Sequence, residues 1–258
     1  MKTAAQKTAA LDPSAGDRLP YAGHLDDHTV MTRGGDLIQM IQVDGIAFET
    51  ADSETLNHMA AVRDVVMRGI ANSSLMLYCH VIRRQVTAEL SGAQPDGFVR
   101  DLDDAWQQQL RGKKLYINDM VLMLVRRPAQ GKIGFFDRLT KWGNGTRNSA
   151  ERLADQTREL RELDAARTNL LSALSRYGPR LLGRYHDANG TCSEPLEILS
   201  ALYNGEMQPV LEPTGDAGQY LPYKRISFGL DALELKGASA NTSRFGAIVS
   251  IKDYPAYT

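Results

Sequence analysis

Asp36-Leu37-Ile38-Gln39-Met40-Ile41-Gln42-Val43-Asp44-Gly45-Ile46-Ala47-Phe48-Glu49 decides how the first half of this chain folds. A partly alternating apolar run, an Asp-Gly turn and a second short apolar run predict a strand, a tight turn and a second strand. Outward from this hairpin, Asp52 or Ser53 can cap a helix, because either side-chain oxygen accepts from the free amides of a first turn. Met59, Val62, Val66 and Ile70 fall on one face of that helix, which should end between Gly69 and Asn72. Leu75 to Ile82 reads as a strand, Phe98, Leu102, Ala105, Trp106 and Leu110 mark a second amphipathic helix, and Met120 to Val125 reads as another strand. Two rounds of strand, helix and strand predict an α+β fold, with helices packed on a mixed or antiparallel sheet in the ferredoxin-like manner.

Beyond residue 125 the composition changes. Arg126, Arg127, Lys132, Arg138, Lys141 and Arg147 stand against one acid, Asp137, and are interleaved with Phe135, Phe136, Leu139 and Trp142. Four glycines in the same stretch predict a flexible linker. From Ser149 to Tyr177 a long helix is expected, with Leu153, Leu160, Leu163, Leu170, Leu174 and Tyr177 on heptad a and d positions and Gln156 and Arg167 as the exceptions. Gly178-Pro179 stops it. So narrow and interrupted a seam suits packing on its own domain or on one partner helix better than an extended coiled coil. Leu181 to His186 is strand-like. Thr191 or Ser193 caps a helix carrying Leu196, Ile198, Leu199 and Leu202, with Glu194 placed for a capping box with Thr191, and Asn204-Gly205 closes it. A loop from Pro209 to Gly218 precedes strand-like runs at Arg225 to Gly229 and Arg244 to Ile251. The expected organisation is a mobile tail over 1–19, an α/β subdomain over 20–130, the basic aromatic linker over 131–148, the long helix over 149–180 and a second α/β subdomain over 181–258.

The chain has 258 residues, 43% hydrophobic and 24% charged, which is enough apolar material for one large core or two modest ones. A formal net charge of -1 gives no global basic excess, so any anion-binding site must be local. Cys79 and Cys192 sit in no metal-ligand or disulfide-framework spacing, which makes a reducing compartment the default. The run Met120 to Val125 falls far short of a membrane-spanning helix, leaving peripheral contact as the available kind.

Catalytic motifs are missing from this sequence. A triphosphate cradle requires the order GxxxxGK[ST]; here Gly112-Lys113 and Gly131-Lys132 are followed by Lys114 and Ile133, and neither pair has the earlier glycine. There is no GxSxG elbow and no HExxH string. His24 and His28 would share one face of a helix as metal ligands, but a third ligand is not evident, so a polar loop or cap is the competing reading. Cys79 and His80 could be nucleophile and base, yet neighbours on a strand point to opposite faces. No catalytic, cofactor-binding or metal residue is assigned. The segment from Arg126 to Arg147 is the candidate surface: cations and aromatics together suit an anionic lipid interface or a partner surface, against a plain solvated linker. Nucleic-acid phosphates would use the same groups, a lesser alternative.

Several strings in order resemble the N-terminal half of the VirB/TrbE/CagE ATPases of type IV secretion and conjugation. They are His24 to Thr32 with Gly34-Gly35-Asp36-Leu37-Ile38-Gln39, the Val43 to Glu49 hairpin, and Val81-Ile82-Arg83-Arg84. Later come Ser193-Glu194-Pro195-Leu196, Leu202-Tyr203-Asn204-Gly205, and Arg244-Phe245-Gly246-Ala247-Ile248-Val249-Ser250-Ile251-Lys252-Asp253-Tyr254-Pro255. The resemblance implies a peripheral ATPase at the cytoplasmic face of the bacterial inner membrane. Such a protein energises pilus assembly and transfer of DNA or protein, and contacts inner-membrane subunits and other copies of itself. It also implies that ATP and magnesium belong to a further domain downstream, so that this chain is expected to be a docking and assembly module, with guidance of nucleic acid as the alternative. None of the matched positions carries a family catalytic role.

Overall fold

The computed structural model describes residues 14–46, 49, 51–70, 74–86, 97–128, 149–237 and 242–251. The chain divides into two compact units, one made of Met1–Leu37 with Gly183–Thr258 and the other of Ile38–Leu182. Helices are interspersed with strands whose printed pairings are all antiparallel, so the fold is α+β.

The first unit begins at residues expected to be tail. Ser14 caps a single helical turn, α1 (Ala15–Arg18), through a reciprocal capping box with Asp17. Next come β1 (Tyr21–His24) and β2 (Val30–Thr32), an antiparallel hairpin that pairs His24 with Val30. Asp26 shapes its turn: its carboxylate accepts from the amides of His28 and Thr29 at 2.8 and 2.7 Å and from the Thr29 hydroxyl at 2.9 Å. His24 and His28 therefore sit on a hairpin and not on a helix.

The second unit is built on β3 (Leu37–Val43), in which every residue but Gln42 is buried, as in a strand covered on both faces. The returning strand expected at Ile46 to Glu49 is not formed among the described residues. Ile46 is irregular, Glu49 lies in a 3-10 turn, and Ala47 and Phe48 fall outside the description. The amides of Asp44 and Gly45 donate instead to the Tyr177 carbonyl at 2.9 and 3.2 Å, and Gly45, at φ 89°, turns the chain away. Asp52 accepts from the Thr55 amide at 2.7 Å and opens α2 (Ser53–Ile70), whose Met59 and Ile70 are buried. β4 (Leu75–Val86), α3 (Phe98–Arg111) and β5 (Leu115–Arg126) follow. β4 and β5 pair antiparallel over their whole length, from Leu75 with Arg126 to Val86 with Leu115, and β5 lies between β3 and β4. Val121 to Arg126 is buried without a break, whereas the far half of the ribbon is more open.

The long helix, α4 (Ser149–Ala173), packs on β5 and α2. Leu163, Leu170 and the following Leu174 are buried. Arg167, one of the two seam exceptions, has a polar job: it pairs with Asp164 at 2.8 Å, and Asp164 accepts from Gln39 of β3 at 2.9 Å. Gly178, in the left-handed region at φ 60°, ends the turn that follows, and β6 (Arg180–Leu181) returns antiparallel to β3.

The first unit resumes with β7 (Arg184–Asp187) and β8 (Gly190–Ser193), an antiparallel hairpin, then α5 (Glu194–Asn204) and α6 (Ala217–Tyr220). The run expected as one strand from Leu181 to His186 is broken at Leu182-Gly183, where the Gly183 amide donates to the Glu194 carboxylate at 3.1 Å. A capping box between Thr191 and Glu194 is not formed. Ser193 is the N-cap, and the Thr191 hydroxyl bonds His186. A three-stranded sheet closes the description, in the order β11-β10-β9, with β9 (Arg225–Phe228), β10 (Leu233–Lys236) and β11 (Arg244–Gly246). The strand expected to continue to Ile251 stops at Gly246.

Candidate docking surface

α3 repeats apolar residues four apart at Phe98, Leu102 and Trp106, the spacing that lays a stripe along one helix face. A stripe of this kind ordinarily covers a core. Here α3 buries no residue at all, and Phe98, Leu102 and Trp106 are 79%, 58% and 54% exposed. The less exposed side chains are Asp103, Gln107 and Leu110, all half-buried, and Gln107 donates to Asp103 at 2.8 Å. The helix thus leaves its apolar stripe in solvent, with every residue exposed or half-buried. The strands it connects continue this character, since Tyr78, Val81 and Tyr116 are exposed. Arg83 stacks over Tyr116 at 5.0 Å, and Arg84 pairs with Asp119 at 2.5 Å. This exposed apolar stripe, with the open strand ribbon beside it, is the candidate docking surface among the described residues.

The basic aromatic candidate is placed only in part. Arg126 is 5% exposed at the end of β5, and its guanidinium is held by Glu162 of α4 at 2.7 Å and by the Arg127 carbonyl, so this cation is spent inside the unit. Arg127 is exposed. Lys132, Phe135, Phe136, Arg138, Leu139, Lys141, Trp142 and Arg147 lie outside the described residues, as does the side chain of Leu153. Leu160 and Tyr177 of the helix seam are half-buried.

Two arrangements with the look of chemistry serve the scaffold. His24 Nδ1 lies 3.0 Å from the Asp26 carbonyl, which can only accept, so this nitrogen carries the proton and Nε2 accepts from the Ser193 hydroxyl at 2.6 Å. Burial holds the His24 pKa below its ordinary value. Ser193 is fully buried, and its oxygen also accepts from the Leu196 amide at 3.2 Å, so this serine-histidine pair completes a helix cap. Cys79 is exposed on β4, while the neighbouring His80 stacks on Tyr78 with ring centres 6.3 Å apart. Among the described residues no group of His, Cys, Asp and Glu side chains gathers as a metal site, and no helix is long and apolar enough to cross a membrane.

The strings Ser193-Glu194-Pro195-Leu196 and Tyr203-Asn204-Gly205 also prove architectural. Asn204, fully buried, donates to the carbonyls of Ser200 and Leu221 at 2.9 and 2.8 Å and accepts from the amides of Tyr223 and Lys224 at 3.2 and 3.0 Å. Gly205, at φ 71°, closes α5. Arg33 grips Asp216 with two bonds of 2.6 and 2.9 Å and reaches the carbonyls of Asp17 and Gly16 at 3.0 and 3.1 Å. Arg184 likewise joins Asp27 and Glu212.

The strings that carry the family resemblance thus do structural work inside the fold, and the apolar stripe of α3 stays exposed. The chain matches the N-terminal domain of the type IV secretion system ATPase VirB4/TrbE over residues 28–133, and the CagE, TrbE, VirB family, a component of the type IV transporter system, over residues 180–258. It belongs to this family of type IV secretion ATPases. It is 28% identical to the type IV secretion system protein virB4 of Bartonella henselae over 94% of this chain and 30% of that protein. To the virB4 protein of Brucella suis and to PtlC of Bordetella pertussis it is 28% identical over 93% of this chain and 29% of each relative. The chain thus spans about 30% of the length of these relatives.

Proposed function

We propose that this chain is the docking and assembly module of a type IV secretion ATPase, a part that positions a motor at the cytoplasmic face of the inner membrane without itself hydrolysing nucleotide. The observation that carries this reading is the exposed stripe of α3: a helix that leaves Phe98, Leu102 and Trp106 in solvent offers an apolar face for a partner to cover. Family membership supplies the setting. The sequence holds no GxxxxGK[ST] string, so the backbone cradle that nucleotide hydrolysis requires has no counterpart in it. The reading assigns ATP and magnesium to other parts of the longer proteins in this family, and assigns inner-membrane subunits of the secretion system to this chain as partners.

Co-expression with the inner-membrane subunits of its own secretion system, followed by membrane fractionation, tests the reading. The chain should move into the membrane fraction only when those subunits are present, and should show no ATP turnover above that of a mock purification. A distribution indifferent to the subunits, or turnover that scales with purified chain, overturns it.

A further inference from the structure

Where α2 meets the end of α4, the surface opens into a cavity of ≈ 180 Å³. α2 lines one wall with His58, Met59 and Val62. The end of α4 and the 3-10 turn after it line the other with Ala173, Ser175, Arg176 and Tyr177. The hollow lies at Ala173, a short side chain between the buried Leu170 and Leu174. Both walls are fixed: Met59 is buried, and the Tyr177 carbonyl accepts from the amides of Asp44 and Gly45, so the site is preformed.

Floor and rim differ in chemistry. Met59, Val62, Ala173 and Tyr177 are buried or half-buried, whereas His58, Ser175 and Arg176 are exposed. Among the described residues neither the Arg176 guanidinium nor the His58 ring has a hydrogen-bond or ion-pair partner, and no carboxylate lines the cavity. A guanidinium is always cationic and an imidazole always offers at least one N–H, so the rim supplies a charge and a donor for an anion above an apolar floor. A phosphate would match the rim and leave the floor unused, and a hydrocarbon would do the reverse. A carboxylate on a short apolar body satisfies both.

Size separates a free acid from a chain end. The volume is below the roughly 300 Å³ at which pockets begin to enclose a whole small ligand, and suits a single side chain. Beyond the cavity the same face of α2 continues with Val65, three residues after Val62 and 69% exposed. A polypeptide end uses both, with its last side chain in the hollow and the preceding residue against Val65. We propose that this cavity binds the carboxyl terminus of a partner polypeptide ending in an apolar residue, its α-carboxylate held by Arg176 and His58. The site uses no residue of α3, and it is independent of membrane recruitment.

Titration of the isotope-labelled 258-residue chain, followed by NMR, tests this with an acetylated tetrapeptide ending in leucine, prepared as free acid and as amide. The free acid should shift the backbone amides of His58, Met59, Val62, Ala173 and Tyr177 in a saturable way. At low ionic strength the amide should bind roughly fivefold more weakly or worse. Arg176→Gln, at an exposed position, should keep its melting curve and bring acid and amide to one affinity. Ala173→Leu, which fills the hollow, should block both, and Arg176→Gln decides alone if that variant unfolds. Isocaproate, the carboxylate and side chain of leucine without the chain, should bind roughly tenfold more weakly than the peptide. Equal binding of acid and amide, shifts centred elsewhere, an indifferent Arg176→Gln, or isocaproate as tight as the peptide overturns the proposal. In none of these cases does recruitment by inner-membrane subunits have to fail with it.

Discussion

Nε2 of His24 accepts from the Ser193 hydroxyl at 2.6 Å, and through that serine a hairpin residue completes the cap of α5. The bond requires the neutral ring. An imidazolium would have to donate to Ser193, stranding the hydroxyl hydrogen and placing a cation at a helix N-terminus. Burial lowers the His24 pKa most, the Arg184 charge adds to this, and the Asp26 carbonyl with the charges of Glu212 and Asp26 opposes it.

The folded state therefore binds a proton at His24 less readily than the unfolded chain, whose value is near 6.5. The stability this group contributes is present above that pH and is lost as pH falls through 6.5 toward the lower folded value. Melting temperature followed from pH 8 to 5 should drop over this window, and the drop should be smaller in His24→Gln, whose side-chain oxygen can accept from Ser193 at any pH. His80, also lowered by burial, titrates in the same direction and is present in both proteins, so the difference between them isolates His24. Identical pH profiles would refute the assignment.

Asn204 carries a heavier load. Two carbonyls and two amides of the first unit bond to one buried amide side chain. Asn204→Ala leaves several buried groups without partners and should cost about 2 to 4 kcal/mol by urea unfolding. Leu202→Ala, two residues away but 48% exposed, should cost under about 1 kcal/mol.

Arg126 offers the complementary case of a buried charge. Its side chain is 6% exposed beside a Glu162 side chain that is 48% exposed, so the pair is screened on one side only. Glu162→Ala should destabilise by about 2 kcal/mol, below the range for a fully buried pair. Arg126→Met combined with Glu162→Ala should recover most of that loss, because an apolar chain replaces the stranded cation. Urea midpoints of the single and double variants decide it, and a double variant no better than Glu162→Ala would count against the burial argument.

Elements whose signal is local could be read before the structure. α2 announces itself through Asp52 and the Met59 to Ile70 spacing, and α5 through a serine cap and a closing Asn-Gly, since caps and periodicity act within one or two turns. The sequence does not announce β10, because Leu233 to Lys236 offers only two apolar residues, and its pairing with β9 and β11 supplies what propensity does not. The second strand after Gly45 was expected because Asp-Gly usually closes a hairpin. A carbonyl 132 positions away in the sequence, that of Tyr177, takes the turn's amides instead, and no local pattern announces such a partner. α3 is the instructive case for function. Its periodicity is legible, but amphipathicity alone does not say whether the chain covers the face itself, and here Phe98, Leu102 and Trp106 stay exposed.

Gly178 is where the long helix is turned back toward β3, and two separate constraints fall on it. Its φ of 60° lies in the left-handed region, and a Cβ there would stand 2.6 Å from Asp44 Oδ2. The conformational part costs a non-glycine residue about 1 to 2 kcal/mol, and the contact with Asp44 adds to it. Gly178→Ala should therefore lower stability by about 2 to 3 kcal/mol in the native background. In an Asp44→Ala background the carboxylate is gone and the nearest remaining atom, Cβ of residue 44, would lie at 3.3 Å, so the same substitution should cost only the conformational part. A double-mutant cycle on unfolding free energy reads the difference as the Gly178–Asp44 contact. Equal costs in both backgrounds would show that the turn yields at Asp44, and that backbone conformation alone selects glycine at this position.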